Sequence, residues 1–277
     1  MTPDLLEHYL AAWRLTDPQP LAQTPTSHVY TVTYQGETAV LKLLTPVGIH
    51  DEQCGAAALR HYDGRGAVRL LRGDDRAHLL EYAGGDDLVP LVARGDDEQA
   101  THIIADVLRQ LHAEPGSGEG LIPLRRRFRS LFRQAERDQS QGNASLFLQG
   151  ARIAEALLAD PREVRVLHGD LHHANIRHSA RRGWLAFDPK GVYGERTYDL
   201  ANVLCNPANL PALVADETRL LRHAGILADQ LQIERGRILA YVFAYACLSA
   251  YWSAEDGHNP ALDLRVAALA EPHVTGC

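Results

Sequence analysis

In the first 84 residues, segments with the two-residue alternation of a strand lie beside segments with the spacing of a helix. In HVYTVTY (28–34) and TAVLKLL (38–44) apolar and polar residues alternate in the way that is typical of half-buried strands. The segment HDEQCGAAALRHY is alanine-rich and helical in pattern, and glycines follow it. We therefore expect a small antiparallel sheet with a helix packed against it. The predicted elements are a helix over 4–15, strands over 28–34 and 38–44, a helix over 50–62, and strands over 67–73 and 77–83.

The pattern becomes helical after GGDD (84–87). The segment 96–114 begins with acidic residues and then repeats apolar residues at helical spacing. Short strands return only around 164–187. We expect a small β-rich lobe at 1–84, a short hinge, and a larger, mostly helical lobe at 85–277 that contains a polar hairpin. Further helices are predicted over 124–137, over 144–159, and from 195 to the end of the chain.

Composition narrows the class of protein. The net charge of −7 comes without a basic stripe interleaved with aromatic residues, which argues against nucleic-acid binding. The run ILAYVFAYACLSAYW (238–252) is too short and too polar to span a bilayer, so we expect a buried core helix and no membrane partner. The N-terminus lacks the pattern of a signal peptide. The cysteines show no zinc-type or disulfide spacing, which favours a reducing, cytoplasmic location; they are Cys54, Cys205, Cys247 and Cys277.

Almost all of the basic residues are arginine. Of 28 lysines and arginines, only Lys42 and Lys190 are lysine. A coding preference for arginine removes lysine wherever arginine serves equally well. The two lysines that remain are therefore candidates for sites that need a compact ammonium group. The arginine run in 124–137 is interpreted as a solvated helix face.

The stretch VLHGDLHHANI (166–176) crowds ionisable and amide side chains between apolar flanks. A metal-binding histidine cluster, a catalytic loop and a polar accident all begin as possible explanations. The following residues favour the loop, because NIRH and WLAF predict two short strands around a loop at 179–183. Asn175 and Asp188 are symmetric about that loop, so the hairpin brings both beside Asp170. Two carboxylates and an amide oxygen are hard ligands suited to Mg²⁺.

This order of residues is that of protein-kinase-like phosphoryl transfer. HGDLHHAN matches H-x-D-x-x-x-x-N, and DPK stands where protein kinases have D-F-G. We therefore predict an α+β fold of the two-lobed protein-kinase-like type that binds ATP and Mg²⁺. Asp170 is the expected catalytic base, and Asn175 and Asp188 are the expected metal ligands.

The N-terminal lobe is expected to bind the nucleotide. Lys42 lies on a predicted strand and resembles the lysine that holds the α- and β-phosphates, with Glu52 on the next helix as its partner. Backbone groups of Glu81 and Ala83 are expected to meet adenine where the last strand enters the hinge. The loop TPTSHVY (24–30) replaces a glycine-rich loop, and the backbone of Ser27 is a candidate for phosphate contact.

With these motifs, the whole chain resembles the aminoglycoside phosphotransferases, particularly the branch of streptomycin 6-kinases and aminoglycoside/hydroxyurea resistance kinases. The resemblance implies transfer of a γ-phosphate to a hydroxyl of an aminoglycoside-like, streptomycin-type acceptor that is cationic. A metabolic sugar or amino-alcohol kinase is the alternative. The matching segments are HGDLHHANI (168–176), WLAFDPKG (184–191), YDLANVLCNP (198–207), AALRHYDGRGAVRLL (57–71) and AYACLSAYW (244–252).

The remaining polar residues divide between chemistry and support. Lys190 and His172 are candidates for contact with the transferred phosphate, and an ion pair with Asp188 in the resting enzyme is the alternative for Lys190. His168 and Asp199 are interpreted as structural. Acidic residues near the mouth of the larger lobe are candidates for binding a cationic acceptor, and they are Asp86, Asp87, Glu255 and Asp256.

Two other classes of protein compete with a kinase. A metal-dependent hydrolase would use the clustered histidines, but the further downstream ligands of binuclear phosphoesterases are missing from the sequence. A non-catalytic kinase-like binding module would have lost core residues, and all of them are present.

Overall fold

The computed structural model describes residues 3–274. Its N-terminal part is an antiparallel sheet of five strands in the order β1-β2-β3-β5-β4. This sheet and the predicted elements around it agree with the sequence analysis. The elements are α1 (Pro3–Trp13), β1 (Thr16–Gln23), β2 (Ser27–Tyr34), β3 (Glu37–Leu44), α2 (Ile49–Tyr62), β4 (Leu70–Gly73) and β5 (Ala77–Glu81).

Two details of this sheet differ from the prediction. β1 was not expected, because TDPQPLAQ is polar and contains two prolines. As an edge strand with irregular pairing to β2, it tolerates residues without an amide donor. The predicted strand over 67–73 is shorter, because Ala67 pairs with Ala186 of the later hairpin instead of with β5. The Val68 amide also donates to the Ala186 carbonyl at 2.9 Å.

Different helices cover the two sides of this region. α1 packs its apolar face on the sheet, where Tyr9 joins Leu41 and Leu79 in a small separate core. α2 instead buries Leu59 and Tyr62 in the large core that runs through the helical part of the chain. α2 is therefore anchored to the larger part of the molecule as well as to the sheet.

The C-terminal part is mostly helical, as predicted, and α11 lies at its centre. α11 is apolar on nearly all sides and packs against α7, α8 and α12, so it is the buried core helix expected from 238–252. The helices are α3 (Val89–Ala93), α4 (Asp97–Leu111), α5 (Leu124–Arg127), α6 (Arg129–Ser140), α7 (Leu146–Ala159), α8 (Thr197–Leu204), α9 (Pro211–Val214), α10 (Glu217–Leu231), α11 (Arg235–Glu255) and α12 (Ala261–Ala270).

None of the helices described between residues 3 and 274 is both long enough and apolar enough to cross a membrane. Cys54, Cys205 and Cys247 are buried. Cys277 lies outside the described residues. The predicted α+β arrangement is confirmed, whereas the exact lobe boundary at residue 84 stays a prediction.

Two small sheets carry the polar hairpin region. β6 (Ile122–Pro123), β10 (Val192–Glu195) and β7 (Val164–Leu167) form one, and β8 (Ile176–Ser179) and β9 (Gly183–Ala186) form the hairpin. The hairpin register is one residue away from the predicted symmetry. Asn175 lies opposite Phe187, whose amide donates to the Asn175 carbonyl at 3.0 Å. Asp188 is therefore one position beyond the pair, and its φ of +59° turns the chain there.

Candidate active site

The loop after β7 is fixed by a buried carboxylate. Asp199, at the start of α8, is fully buried and accepts the amides of His168 at 2.9 Å and Gly169 at 2.8 Å. His112 Nε2 lies 3.0 Å from the same carboxylate. Burial raises the pKa of Asp199, but the hydrogen bond and charge of His112 outweigh it and hold this pKa below its usual range. Asp199 has the bracing role expected from the sequence.

Gly169 and His168 complete this brace. The φ of Gly169 is +78°, and a Cβ there would lie 2.5 Å from Val192 Cγ2, so only glycine fits. His168 is fully buried, with Nε2 at 2.9 Å from the Phe187 carbonyl. Its Nδ1 accepts the amide of Asp170 at 3.3 Å. Burial lowers the pKa of His168, which is consistent with a neutral, structural imidazole.

Asp170 is half-buried, and its carboxylate is oriented by residues that the sequence analysis did not select. Asn202 Nδ2 donates to Asp170 Oδ1 at 3.1 Å. The amide of Asn202 is itself fixed, because its Oδ1 accepts Tyr245 Oη at 2.8 Å and Asn206 Nδ2 at 2.9 Å. Asn202 lies in YDLANVLCNP and Tyr245 in AYACLSAYW. Both motifs were noticed, but only the fold shows which of their side chains face Asp170.

Asn175 and Asp188 lie on either side of this loop. Asn175 Nδ2 donates to the Asp170 carbonyl at 2.9 Å, which leaves its Oδ1 as an oxygen ligand. Asp188 accepts Lys42 Nζ at 2.6 Å and Lys190 Nζ at 3.0 Å. Burial raises the pKa of Asp188, but the two ammonium groups outweigh it and hold this pKa far below its usual range. The carboxylate is therefore ionised and available to a cation.

One carboxylate and one amide oxygen fit Mg²⁺, which takes few protein ligands and completes its shell with phosphate oxygens and water. Among the residues whose side chains the structure describes, no group of three or more histidine, cysteine, aspartate or glutamate side chains is arranged to hold a metal ion. The clustered histidines of the loop are not part of such a group. His173 in particular is buried, and burial lowers its pKa to about 3.

The expected ion pair between Lys42 and Glu52 is present. Lys42 Nζ lies 2.5 Å from Glu52 Oε2, and both residues are about 8% exposed. The Thr26 hydroxyl also donates to Glu52 Oε1 at 3.0 Å, so the loop before β2 is attached to the same carboxylate. Lys42 therefore links three segments: β3, α2 and the residues after the hairpin.

α2 packs directly on the DPKG segment. A Cβ on Gly55 would lie 2.3 Å from the Pro189 carbonyl oxygen. A Cβ on Gly191, whose φ is +63°, would lie 1.9 Å from the Cys54 carbonyl oxygen. Two glycines thus allow backbone-to-backbone contact between the helix that carries Glu52 and the segment that carries Asp188 and Lys190.

The predicted nucleotide contacts are only partly available. Ser27 is buried and its amide donates to Thr24 Oγ1 at 3.0 Å, so this amide is occupied in the arrangement observed, and its contact with phosphate stays a prediction. The loop satisfies its own polar groups because it contains several hydroxyl side chains. The amide of Glu81 is also occupied, since it donates to the Arg69 carbonyl at 2.9 Å. The amide of Ala83 has no hydrogen-bond acceptor among the described residues.

The acidic residues expected to bind the acceptor do not lie together in the structure. Asp87 accepts the Val89 amide at 2.9 Å and interacts electrostatically with His172. His172 is half-buried, and burial lowers its pKa despite the nearby carboxylates. Glu255 and Asp256 are exposed at the C-terminal end of α11, where Glu255 accepts Tyr251 Oη at 3.2 Å. No described contact joins Asp87 to these two residues.

A half-buried loop carboxylate, a strand lysine paired with a helix glutamate, and a second carboxylate after a hairpin are the arrangement of a kinase-like small-molecule phosphotransferase. The family model of the aminoglycoside/hydroxyurea antibiotic resistance kinases matches residues 12–257. The chain belongs to this family, and it is a phosphotransferase that uses a hydroxyl acceptor.

Two relatives and one solved structure show the extent of the similarity. Streptomycin 3''-kinase of Klebsiella pneumoniae is 38% identical over 274 residues, which cover 93% of this chain and 97% of that protein. Streptomycin 6-kinase of Streptomyces glaucescens is 30% identical over 283 residues, covering 97% and 88%. A thermostable mutant of aminoglycoside phosphotransferase APH(4)-Ia, solved with AMP-PNP and hygromycin B, aligns over 100% of both chains. Its TM-score is 0.66 and its identity 14%, which shows the kinase-like fold alone.

Proposed function

We propose that this protein transfers the γ-phosphate of ATP, with Mg²⁺, to a hydroxyl of an aminoglycoside acceptor of the streptomycin type. One observation carries the proposal. Five side chains form a row of alternating charge in the order Glu52, Lys42, Asp188, Lys190 and Asp170. Successive charged atoms are 2.5, 2.6, 3.0 and 4.0 Å apart. We call these residues the charge row.

Asp170 acts as the catalytic base at one end of the charge row. Asn202 holds its Oδ1, and Lys190 Nζ lies 4.0 Å from its Oδ2. Oδ2 is therefore the oxygen in position to accept the proton of the acceptor hydroxyl. The carboxylate also orients that hydroxyl for in-line attack on the phosphorus.

Asn175 Oδ1 and Asp188 would hold Mg²⁺. The ion, when bound, neutralises charge on the nucleotide phosphates. Asn175 contributes in a fixed orientation, because the Asp170 carbonyl accepts its amide nitrogen. The position of this ligand is thus set by the backbone of the catalytic loop itself, whereas Asp188 is held by Lys42 and Lys190.

Lys42 positions the α- and β-phosphates, and Glu52 keeps its ammonium in place. Lys190 lies between Asp188 and Asp170, at the place where charge develops on the transferred phosphoryl group. Burial lowers the pKa of Lys190, but Asp188 and Asp170 outweigh it and raise this pKa, so the group stays charged. His172 is the other candidate for phosphate contact. The free amide of Ala83, with the backbone of Glu81, is proposed to bind adenine.

Supporting evidence for the acceptor comes from the relatives, which include a streptomycin 3''-kinase and streptomycin 6-kinases. Exposed Glu255 and Asp256 are proposed to attract the cationic groups of such an acceptor, together with Asp87. The phosphorylated position is an open choice between the two named for these relatives.

The test is an ADP-release assay with Mg-ATP and a panel of acceptors that includes streptomycin, another aminoglycoside, hydroxyurea and a simple sugar. We expect turnover that depends on streptomycin. Asp170→Ala should lower kcat by roughly 10²–10⁴-fold, the usual loss for a general base. Near-normal turnover in this variant would disprove the role of Asp170. Turnover with the sugar alone would reassign the acceptor and leave the mechanism in place.

A further inference from the structure

The arginine run at the start of the helical lobe is not a uniform solvated face. Arg125 and Arg126 are exposed, and Arg125 forms a two-point ion pair with Glu155 at 2.9 and 2.5 Å. Arg127 is half-buried and points inward. Its guanidinium carbon lies 4.8 Å from the centre of the Trp252 ring, which is the geometry of a cation–π contact.

The polar atoms around this guanidinium are incompletely satisfied. Arg127 Nε and the Tyr198 hydroxyl are buried, and neither has a hydrogen-bond partner of normal length among the described residues. The two side chains interact with each other through charge and through a longer, weaker hydrogen bond. No carboxylate of the described residues lies within 4.0 Å of Arg127 to form an ion pair. Buried polar groups without partners cost free energy, so their presence requires an explanation, and a bound ligand is one.

These groups are connected to the catalytic base through a chain of side-chain contacts. Trp252 is edge-on to Tyr245 with ring centres 6.4 Å apart, and Tyr245 is edge-on to Tyr198 at 5.6 Å. Tyr245 in turn reaches Asp170 through Asn202. Asp170 also attracts the charge of Arg127. The rings of Tyr198, Tyr245 and Trp252, of which the first two are buried and the third is half-buried, therefore connect the base to the guanidinium, and we call them the aromatic wall.

The charge of Arg127 restricts what it can bind. A cationic amine or guanidine of the acceptor would be repelled, whereas a neutral hydroxyl or carbonyl oxygen would accept its N–H groups. The acidic residues Glu255 and Asp256 follow Trp252 by about one helical turn. One end of the aromatic wall thus suits neutral oxygens, and the end of α11 suits cations.

We propose that Arg127, held on the Trp252 ring, is an acceptor-binding residue that donates hydrogen bonds to a neutral oxygen of the acceptor near the hydroxyl that is phosphorylated. This inference rests on the proposed function, since it assumes a polyhydroxylated acceptor. It assigns the arginine a role in acceptor selectivity and alignment, separate from the residues that contact the nucleotide.

Arg127→Gln tests the proposal, with Arg126→Gln as a matched control on the exposed side of the same helix. The measurements are thermal unfolding and the KM values for streptomycin and for ATP in the ADP-release assay. A hydrogen bond from a charged donor corresponds to about a 10- to 100-fold change in affinity. We expect the acceptor KM of Arg127→Gln to rise by that factor, with the KM for ATP at its wild-type value. The control should match the wild type in both.

Each other outcome counts against the proposal. An unchanged acceptor KM in folded Arg127→Gln would overturn it. An equal rise in both KM values would mean that the arginine supports the whole cleft. If Arg127→Gln does not fold, Arg127→Lys decides, because lysine keeps the charge but loses the planar donors: wild-type acceptor KM would then overturn the inference. A wild-type enzyme without acceptor-dependent turnover would instead refute the proposed function, and this inference with it.

Discussion

Gly55→Ala tests the contact between α2 and the DPKG segment. In the interior of a helix, alanine is favoured over glycine by about 1 kcal/mol. Gly225 in α10 is a matched control, because an added Cβ there has nothing within 4 Å. At Gly55 the same Cβ would lie 2.3 Å from the Pro189 carbonyl oxygen. Both substitutions therefore gain helix propensity, but only Gly55→Ala also introduces a steric clash.

The clash sets the expected size of the difference. Forcing an extra carbon into a packed interior typically costs about 1–3 kcal/mol. Gly225→Ala should therefore gain up to about 1 kcal/mol, whereas Gly55→Ala should lose up to about 2 kcal/mol after the same gain is subtracted. In a chain of this size 1 kcal/mol corresponds to about 2–4 °C in Tm. Alternatively, the segment moves aside, and Asp188 then leaves Lys42. A shift of about 1 Å in catalytic geometry can cost about 10²-fold in rate.

The assay combines thermal unfolding with streptomycin-dependent ADP release for both variants. We expect Gly225→Ala to be at least as stable as the wild type and fully active. Gly55→Ala should lose stability relative to that control, lose kcat, or lose both. If Gly55→Ala matched Gly225→Ala in Tm and kept wild-type kcat and KM, the close packing of α2 on Pro189 would be refuted as a determinant of the site.

Three further predictions follow from the site. Asn202→Ala removes the donor to Asp170 Oδ1 and should lower kcat by about tenfold, whereas Tyr245→Phe should lower it less; steady-state kinetics with a saturating acceptor decide. Lys42→Met should raise the KM for ATP by at least about tenfold and leave that for the acceptor unchanged. Burial lowers the pKa of His173 to about 3. The unfolded state therefore binds a proton below about pH 6.5 that the native state excludes, and the unfolding free energy should fall on acidification by about 1.4 kcal/mol per pH unit. Urea unfolding at about pH 7 and about pH 5 should show a smaller fall in the unfolding free energy for His173→Asn than for the wild type.

The sequence predicted the elements with a clear period and missed those without one. The strands at 28–34 and 38–44 were found because their alternation reflects burial on one face. β1 carries no such pattern, since it is an exposed edge strand with two prolines. The hairpin was located correctly, but its register was displaced by one residue. The sequence shows where the loop lies. The pairing of Asn175 with Phe187 depends on the geometry of the turn, which the hydrophobic pattern does not specify.

The candidate site shows the same difference between residues that the sequence pattern reveals and residues that only the fold reveals. Roles could be proposed from spacing for residues that share one short motif, such as Asp170 and Asn175. The roles proposed for Asn202 and Arg127 could not, because they depend on helices that are distant in sequence and packed around α11. The occupied amide of Ser27 was not foreseen for a related reason. The loop TPTS contains enough hydroxyl groups to satisfy its own amides, and spacing alone does not show that.

The scarcity of lysine has a physical explanation in the charge row. Both lysines of the chain lie in it, each between two carboxylates. An ammonium group presents three donors around one compact point charge, so Lys42 can approach Glu52 and Asp188 at once. A planar guanidinium fork is matched to one carboxylate at a time and needs more room. Elsewhere in the molecule arginine forms the ion pairs, as in the two-point contact of Arg237 with Glu195. Lysine is therefore retained where one small, partly buried cation must bridge two carboxylates, whereas Arg162, which lies near both Asp160 and Glu234, is exposed and has more room. This difference links the composition of the chain to the geometry of the charge row.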